Sequence, residues 1–135
     1  MTGTLWSLAL ALAIFIAVHM VPVVPGLRAA MINAWGKRVY RALFSILSLA
    51  GLVWIVFAHK DAPQILLWEG PDWFRLIPLA AMPLVLILLA TMPSDGIKKV
   101  THHPLLWAIF LWATAHIPTN GDAASLMLFG AFALF

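Results

Sequence analysis

Long apolar stretches alternate with short polar ones along the chain. The stretches run from about Leu5 to Val24, Ala42 to Ala58, Leu76 to Met92, Leu105 to Ile117 and Ala123 to Phe135. About 20 apolar residues cross a bilayer core of about 30 Å, so the first three read as membrane spans. The fourth has only 13 residues, about 20 Å of helix, and to cross it must draw His102 and His103 into the interface. The pattern predicts an all-α fold: a polytopic transmembrane helix bundle of about five segments in one domain, 1–135. The last segment ends without a polar flank, and the expectation is that it is truncated, with further spans beyond Phe135.

Within the spans, small and polar residues predict how helices meet. Ala9, Ala13 and Ala17 recur every fourth residue and predict a close-contact seam, with His19 off it, on the side of Leu12 and Phe15. Pro22 and Pro25 end the first span, because proline lacks the amide hydrogen and crowds the preceding turn. A loop from Gly26 to Arg41 is then expected, and Ser45, Ser48 and Gly51 form a second packing stripe. Pro78 and Pro83 interrupt the third span, Pro93 closes it, and Ser94 to Lys99 reads as a loop. Proline at 104 suits a first helical position and places His103 at the N-cap. Asn120, Gly121 and Asp122 make a turn, with Asp122 or Asn120 capping the last segment.

Composition agrees with a membrane protein: 64% of residues are hydrophobic and 10% charged, against roughly 25% charged in soluble domains. The net charge of +3 is spread between apolar spans, so there is no basic domain and no nucleic-acid partner is expected; the lipid bilayer is. Lys and Arg number four, two, two and none in the successive loops. By the positive-inside tendency the first and third loops are cytoplasmic and the amino terminus is periplasmic. Trp68 and Trp73 suit the bilayer surface. No cysteine is present, which excludes disulfides, thiolate ligands and iron-sulfur clusters.

Any metal chemistry must run on histidine, carboxylate or methionine, and the histidines stand out. His19, His103 and His116 sit in spans or at their ends, and neutral imidazole serves as a haem-iron ligand or a general acid and base. The alternative for each is a hydrogen bond between helices. His19 lies about 8 Å from the inner end of the first span and His103 at that same end, whereas His116 is about 20 Å further along its helix. Depth therefore favours His19 with His103 as the pair of axial candidates. His102 and His103 do not form an H-E-x-x-H zinc pattern, and neither a G-x-S-x-G elbow nor a phosphate loop occurs.

The strings THHPLLW (101–107), LWATAH (111–116), NGD (120–122) and SLMLFG (125–130) together resemble the NnrU family of bacterial membrane proteins. That family carries T-R-H-P-x-L-W, then L-W-A-x-A-H and N-G-D. Phe15, His19, Pro22, Pro25 and Arg28 resemble its first span. The resemblance implies a bacterial inner-membrane protein acting in or supporting denitrification and nitric oxide metabolism, beside other membrane proteins of nitrogen-oxide respiration. The family also groups with zeta-carotene isomerases, which use histidine-ligated haem b, so the resemblance implies haem b, isomerase-type chemistry, His19 and His103 as axial ligands of the iron, and His116 as a third candidate. His102 stands where the family usually has arginine. Two other readings remain open at this point. One is an S-adenosylmethionine-dependent methyltransferase of isoprenylcysteine type, whose R-H-P-x-Y-x-G matches here only at His103 and Pro104. The other is a non-catalytic helical membrane partner.

Overall fold

The structure, a computed structural model, describes residues 3–135. Among the described residues six helices follow one another: α1 (Leu5–Met20), α2 (Pro25–Asp61), α3 (Leu76–Ala90), α4 (Asp95–Thr101), α5 (Pro104–His116) and α6 (Ala123–Leu134). Short 3-10 turns at Val21–Val23 and Asp72–Arg75 lead into α2 and α3. Among the described residues there is no strand, only one isolated bridge between Leu66 and Asp122. The all-α expectation is met, and three stretches, Leu5–Val23, Pro25–Asp61 and Asp72–Ala90, are long and apolar enough to cross a membrane. The chain forms two compact units, one through Pro63 and one from Gln64 onward.

In the first unit α1 packs along α2. Thr4 starts α1 by accepting a hydrogen bond from the Ser7 amide at 3.2 Å, which satisfies one of the amides a helix start leaves over. The buried face of α1 is Leu8, Ala11, Leu12 and Phe15, a stripe at helical spacing. This corrects the seam expected at Ala9, Ala13 and Ala17: Ala13 and Ala17 are exposed. Close approach is supplied instead by Gly51 of α2, where a Cβ would lie 3.2 Å from the Phe15 ring. Of the stripe expected on α2, Gly51 is buried and the Ser48 hydroxyl is covered, but Ser45 is exposed.

The segment from Gly26 to Arg41, expected as a loop, is helical. Pro25 sits at the first position of α2, where its fixed φ favours helix, and the only interruption is Gly36, at φ 82° and ψ 155°. That positive φ is accessible to glycine because no Cβ meets the backbone. α2 is thus two arms, 25–35 and 37–61, joined at a bend. The second arm has a length of about 37 Å, enough for a bilayer core.

In the second unit α5 lies against both α3 and α6. Val85, Leu88 and Ala108 form its core, with Met82, Ile97, Leu111 and Trp112 packed on them. Pro83 is accommodated inside α3, and Pro78 falls in its first turn, where the amide it lacks would have had no partner in the helix. Ser94 to Lys99, expected as a loop, opens a short helix, α4, ending at His102 with φ 58°. α5 starts as expected, with His103 at the N-cap and Pro104 at the first position. The Asp122 carboxylate caps α6, accepting from the Ser125 amide at 2.8 Å.

The turn between α5 and α6 is held by the segment before α3. The Leu67 and Trp68 amides donate to the Gly121 carbonyl at 2.6 and 3.1 Å, and the Ala123 amide donates to the Ile65 carbonyl at 2.8 Å. Trp68 Nε1 donates to the Pro118 carbonyl at 3.1 Å, and Thr119 Oγ1 to the Phe74 carbonyl at 3.0 Å. A Cβ at Gly121 would overlap the Trp68 carbonyl. Trp68, expected at the bilayer surface, is a strut inside this unit.

Candidate functional site: three histidines on apolar helices

His19 belongs to the first unit and His103 and His116 to the second. His19 lies on the last turn of α1, partly buried. Its ring stacks at a tilt on Phe15, 4.1 Å between centroids, and meets Phe44 of α2 edge-on at 5.3 Å. Phe15 is four residues before His19 and shares its face, so the expected position beside Leu12 and Phe15 is the observed one. His19 Nδ1 is 2.9 Å from the Phe15 carbonyl oxygen. A carbonyl can only accept, so Nδ1 carries the proton, and in the neutral ring the lone pair is on Nε2.

His116, on the last turn of α5, repeats this arrangement. Its Nδ1 donates to the Trp112 carbonyl at 2.6 Å, again placing the lone pair on Nε2. Its surroundings differ. The ring stacks on Phe129 of α6 at 5.1 Å, and Trp112 contacts His116, Phe129 and Phe132 at 5.7, 5.0 and 5.7 Å. Asn120 Nδ2 donates to the His116 carbonyl at 2.8 Å, closing the end of the helix. His116 therefore ties α5 to α6 and to the polar turn as well as presenting an imidazole.

His103 is exposed at the rim of an apolar cleft of about 360 Å³ between α5 and α6, whose walls include Leu106, Trp107, Phe110 and Phe132. It sits a full helix length, 13 residues, from His116, so the two do not share one ligand-sized space. His102 is exposed on the residue that ends α4. Among the described residues no three His, Asp or Glu side chains come together as a metal cluster. A haem iron asks for less, one or two axial side chains. Sequence reasoning passed over Tyr40, whose hydroxyl is buried with no hydrogen-bond partner; it is the chain's only tyrosine, and that singularity was the one available signal.

These features define an all-α protein built for a lipid bilayer, with tautomer-fixed imidazoles at the ends of its apolar helices. The family model described as "NnrU protein" matches residues 7–135. The chain belongs to the NnrU family. It matches no curated protein and no solved structure.

Proposed function

We propose that this protein binds haem b in the bacterial inner membrane, with His19 and His103 each a residue that would hold its iron and His116 the third candidate, and acts in or supports nitrogen-oxide metabolism. The observation that carries the reading is the hydrogen bond from His19 Nδ1 to the Phe15 carbonyl. His116 makes the same kind of bond to Trp112, which is why it is the third candidate, and His103 enters from its place beside an apolar cleft. Metal-binding histidines are oriented by such a bond on the nitrogen that does not bind, which fixes the tautomer and raises the basicity of the other. The donor set suits haem: imidazole nitrogens beside apolar side chains, with the cleft at His103 walled by leucine, tryptophan and phenylalanine, the kind of surface on which a porphyrin face would pack. Haem iron held by imidazole supplies one-electron chemistry, the kind that would serve double-bond isomerisation.

The protein's own contribution is positional. Phe15 and Phe44 hold the His19 ring on both its face and its edge, and the Phe15 carbonyl keeps a proton on Nδ1. His103, at the N-cap of α5, is set by Pro104, which restricts the backbone before it. In orientation the amino terminus is periplasmic, and the basic arm around Arg28 to Arg41 is cytoplasmic.

Detergent-purified protein from haem-replete cells is expected to show a Soret band that falls strongly in His19→Ala or His103→Ala. In His116→Ala the expected result is a retained band with lowered thermal stability, because the contacts it breaks are with Trp112 and Phe129. Haem-free wild-type protein would overturn the proposal. A band that survives loss of both His19 and His103 would reassign the ligands.

A further inference from the structure

The bend of α2 closes off a second pocket that the histidines do not line. Its walls are Val18 and Val21 at the end of α1, Met31 and Trp35 on the first arm of α2, and Tyr40, Leu43, Phe44 and Leu47 on the second, around about 150 Å³. The pocket exists because Gly36 takes its positive φ and lets the first arm turn across the second. Met31, flexible and polarizable, adapts to whatever fills such a gap.

Two independent observations bear on the occupant. Tyr40 lines this pocket, is 8% exposed, and its hydroxyl is covered with no partner. A buried hydroxyl left unsatisfied is costly, so an oxygen acceptor belongs next to it. The second observation is charge. Arg28, Lys37, Arg38 and Arg41 stand exposed around the bend, and the chain before Asp61 contains no acidic residue. Lys37 is three residues from Tyr40 and seven from Phe44, on the same helical face and one turn nearer the bend. Arg41 is three residues from Phe44 and flanks that face. The amino-terminal end of the second arm adds its own partial positive charge there.

The sequence of chemistry along this face is therefore cation, hydroxyl, hydrocarbon. Lys37 and Arg41 come first, Tyr40 next, and Leu43, Phe44 and Leu47 carry the wall about 10 Å further. A phospholipid presents the matching order of phosphate, ester carbonyl and acyl chain. We propose that this pocket is a binding site for one anionic phospholipid of the surrounding bilayer. Its phosphate lies against Lys37 and Arg41, an ester carbonyl accepts from the Tyr40 hydroxyl, and the first part of an acyl chain lies between Val18, Val21 and Leu47. A zwitterionic lipid offers the same chain and ester but no net charge for the four cations, so the site prefers the anionic headgroup. His19 itself lies outside the pocket lining, although Phe44 lines the pocket and also meets the His19 ring, and the lipid readouts below do not use the haem band.

The test uses the full chain reconstituted in vesicles, with phosphatidylglycerol or phosphatidylcholine carrying brominated acyl chains at equal mole fraction. Bromine quenches tryptophan on contact, and the Trp35 signal is the difference between wild type and Trp35→Phe. Quenching of Trp35 by brominated phosphatidylglycerol is expected to be at least about threefold more effective than by brominated phosphatidylcholine. Lys37→Gln with Arg41→Gln is expected to bring that ratio near one. Tyr40→Phe, which removes one hydrogen bond and leaves the ring, is expected to weaken binding of both lipids about three- to tenfold. Native mass spectrometry of the detergent-solubilised wild-type protein gives a readout independent of these variants: one retained phosphatidylglycerol per chain is expected. Equal quenching by the two lipids, no retained lipid, or a Tyr40→Phe variant that is more stable with unchanged lipid binding would each overturn the proposal.

Discussion

The two units of this chain hold themselves together by different means. The first relies on helix against helix, Leu8, Ala11, Leu12 and Phe15 of α1 packing with Gly51 and Ile55 of α2, with close approach at two missing side chains, Gly51 against the Phe15 ring and Gly3 against the Asp61 backbone. The second adds a polar clasp. Five hydrogen bonds join 65–74 to 118–123, three between backbones and two from the Trp68 and Thr119 side chains. In a bilayer lipid tails are as apolar as leucine, so association rests on close packing and on polar groups satisfied within the protein. Close packing is the main device described in the first unit, and the second joins it to a polar clasp between distant segments.

Substitutions can break that contrast in order of expected size. Gly121→Val places a side chain against the Trp68 carbonyl, which cannot move without breaking the clasp, and should cost about 3 kcal/mol, at the upper end of overpacking effects. Its check is the thermal unfolding midpoint of detergent-purified protein, with limited proteolysis between residues 64 and 72 as the local readout. Gly51→Leu in the first unit should cost about 2 kcal/mol by the same mechanism, but Phe15 is a side chain and can yield, so proteolysis of 64–72 should stay at the wild-type level. If both variants loosen the same segment, the two units do not differ as described. Asp122→Ala removes the cap of α6 and should lower stability by about 1 kcal/mol, with hydrogen exchange fastest at Ser125. Ser48→Ala, which deletes a covered hydroxyl without a partner, should be neutral or stabilising by about 0.5 kcal/mol. A clear loss of stability there would reveal an acceptor for Ser48.

Much of the architecture could be read from the pattern of apolar runs, because a bilayer imposes helix length and lets little else vary. The start of α5 at Pro104 and the Asp122 cap were legible for a local reason, since both depend on one residue's own backbone or carboxylate. The packing face of α1 was not. Ala9, Ala13 and Ala17 are small, but contact needs a small residue on only one of two helices, and Gly51 was on the other. The segment from Gly26 to Arg41 reads as a loop because its charges interrupt the apolar pattern, whereas arginine and lysine are good helix formers and only Gly36 breaks the run. The histidines stood out in the sequence as polar groups in apolar helices. Their Nδ1 bonds follow from position, because a histidine on a helix reaches the carbonyl four residues back. Tyr40 could not be recognised beforehand, since its burial depends on the bend at Gly36 bringing Met31 and Trp35 across it.

The clasp has one more consequence. Amides outside helices usually trade their hydrogens with water within moments, because nothing holds them shut. Those of Leu67 and Trp68 lie in an irregular segment, yet both are bound to Gly121, and Ala123 is bound to Ile65. Their deuterium uptake should be released only when that whole unit opens, so a stretch that looks like connecting chain would keep time with the core of the unit and would report its opening.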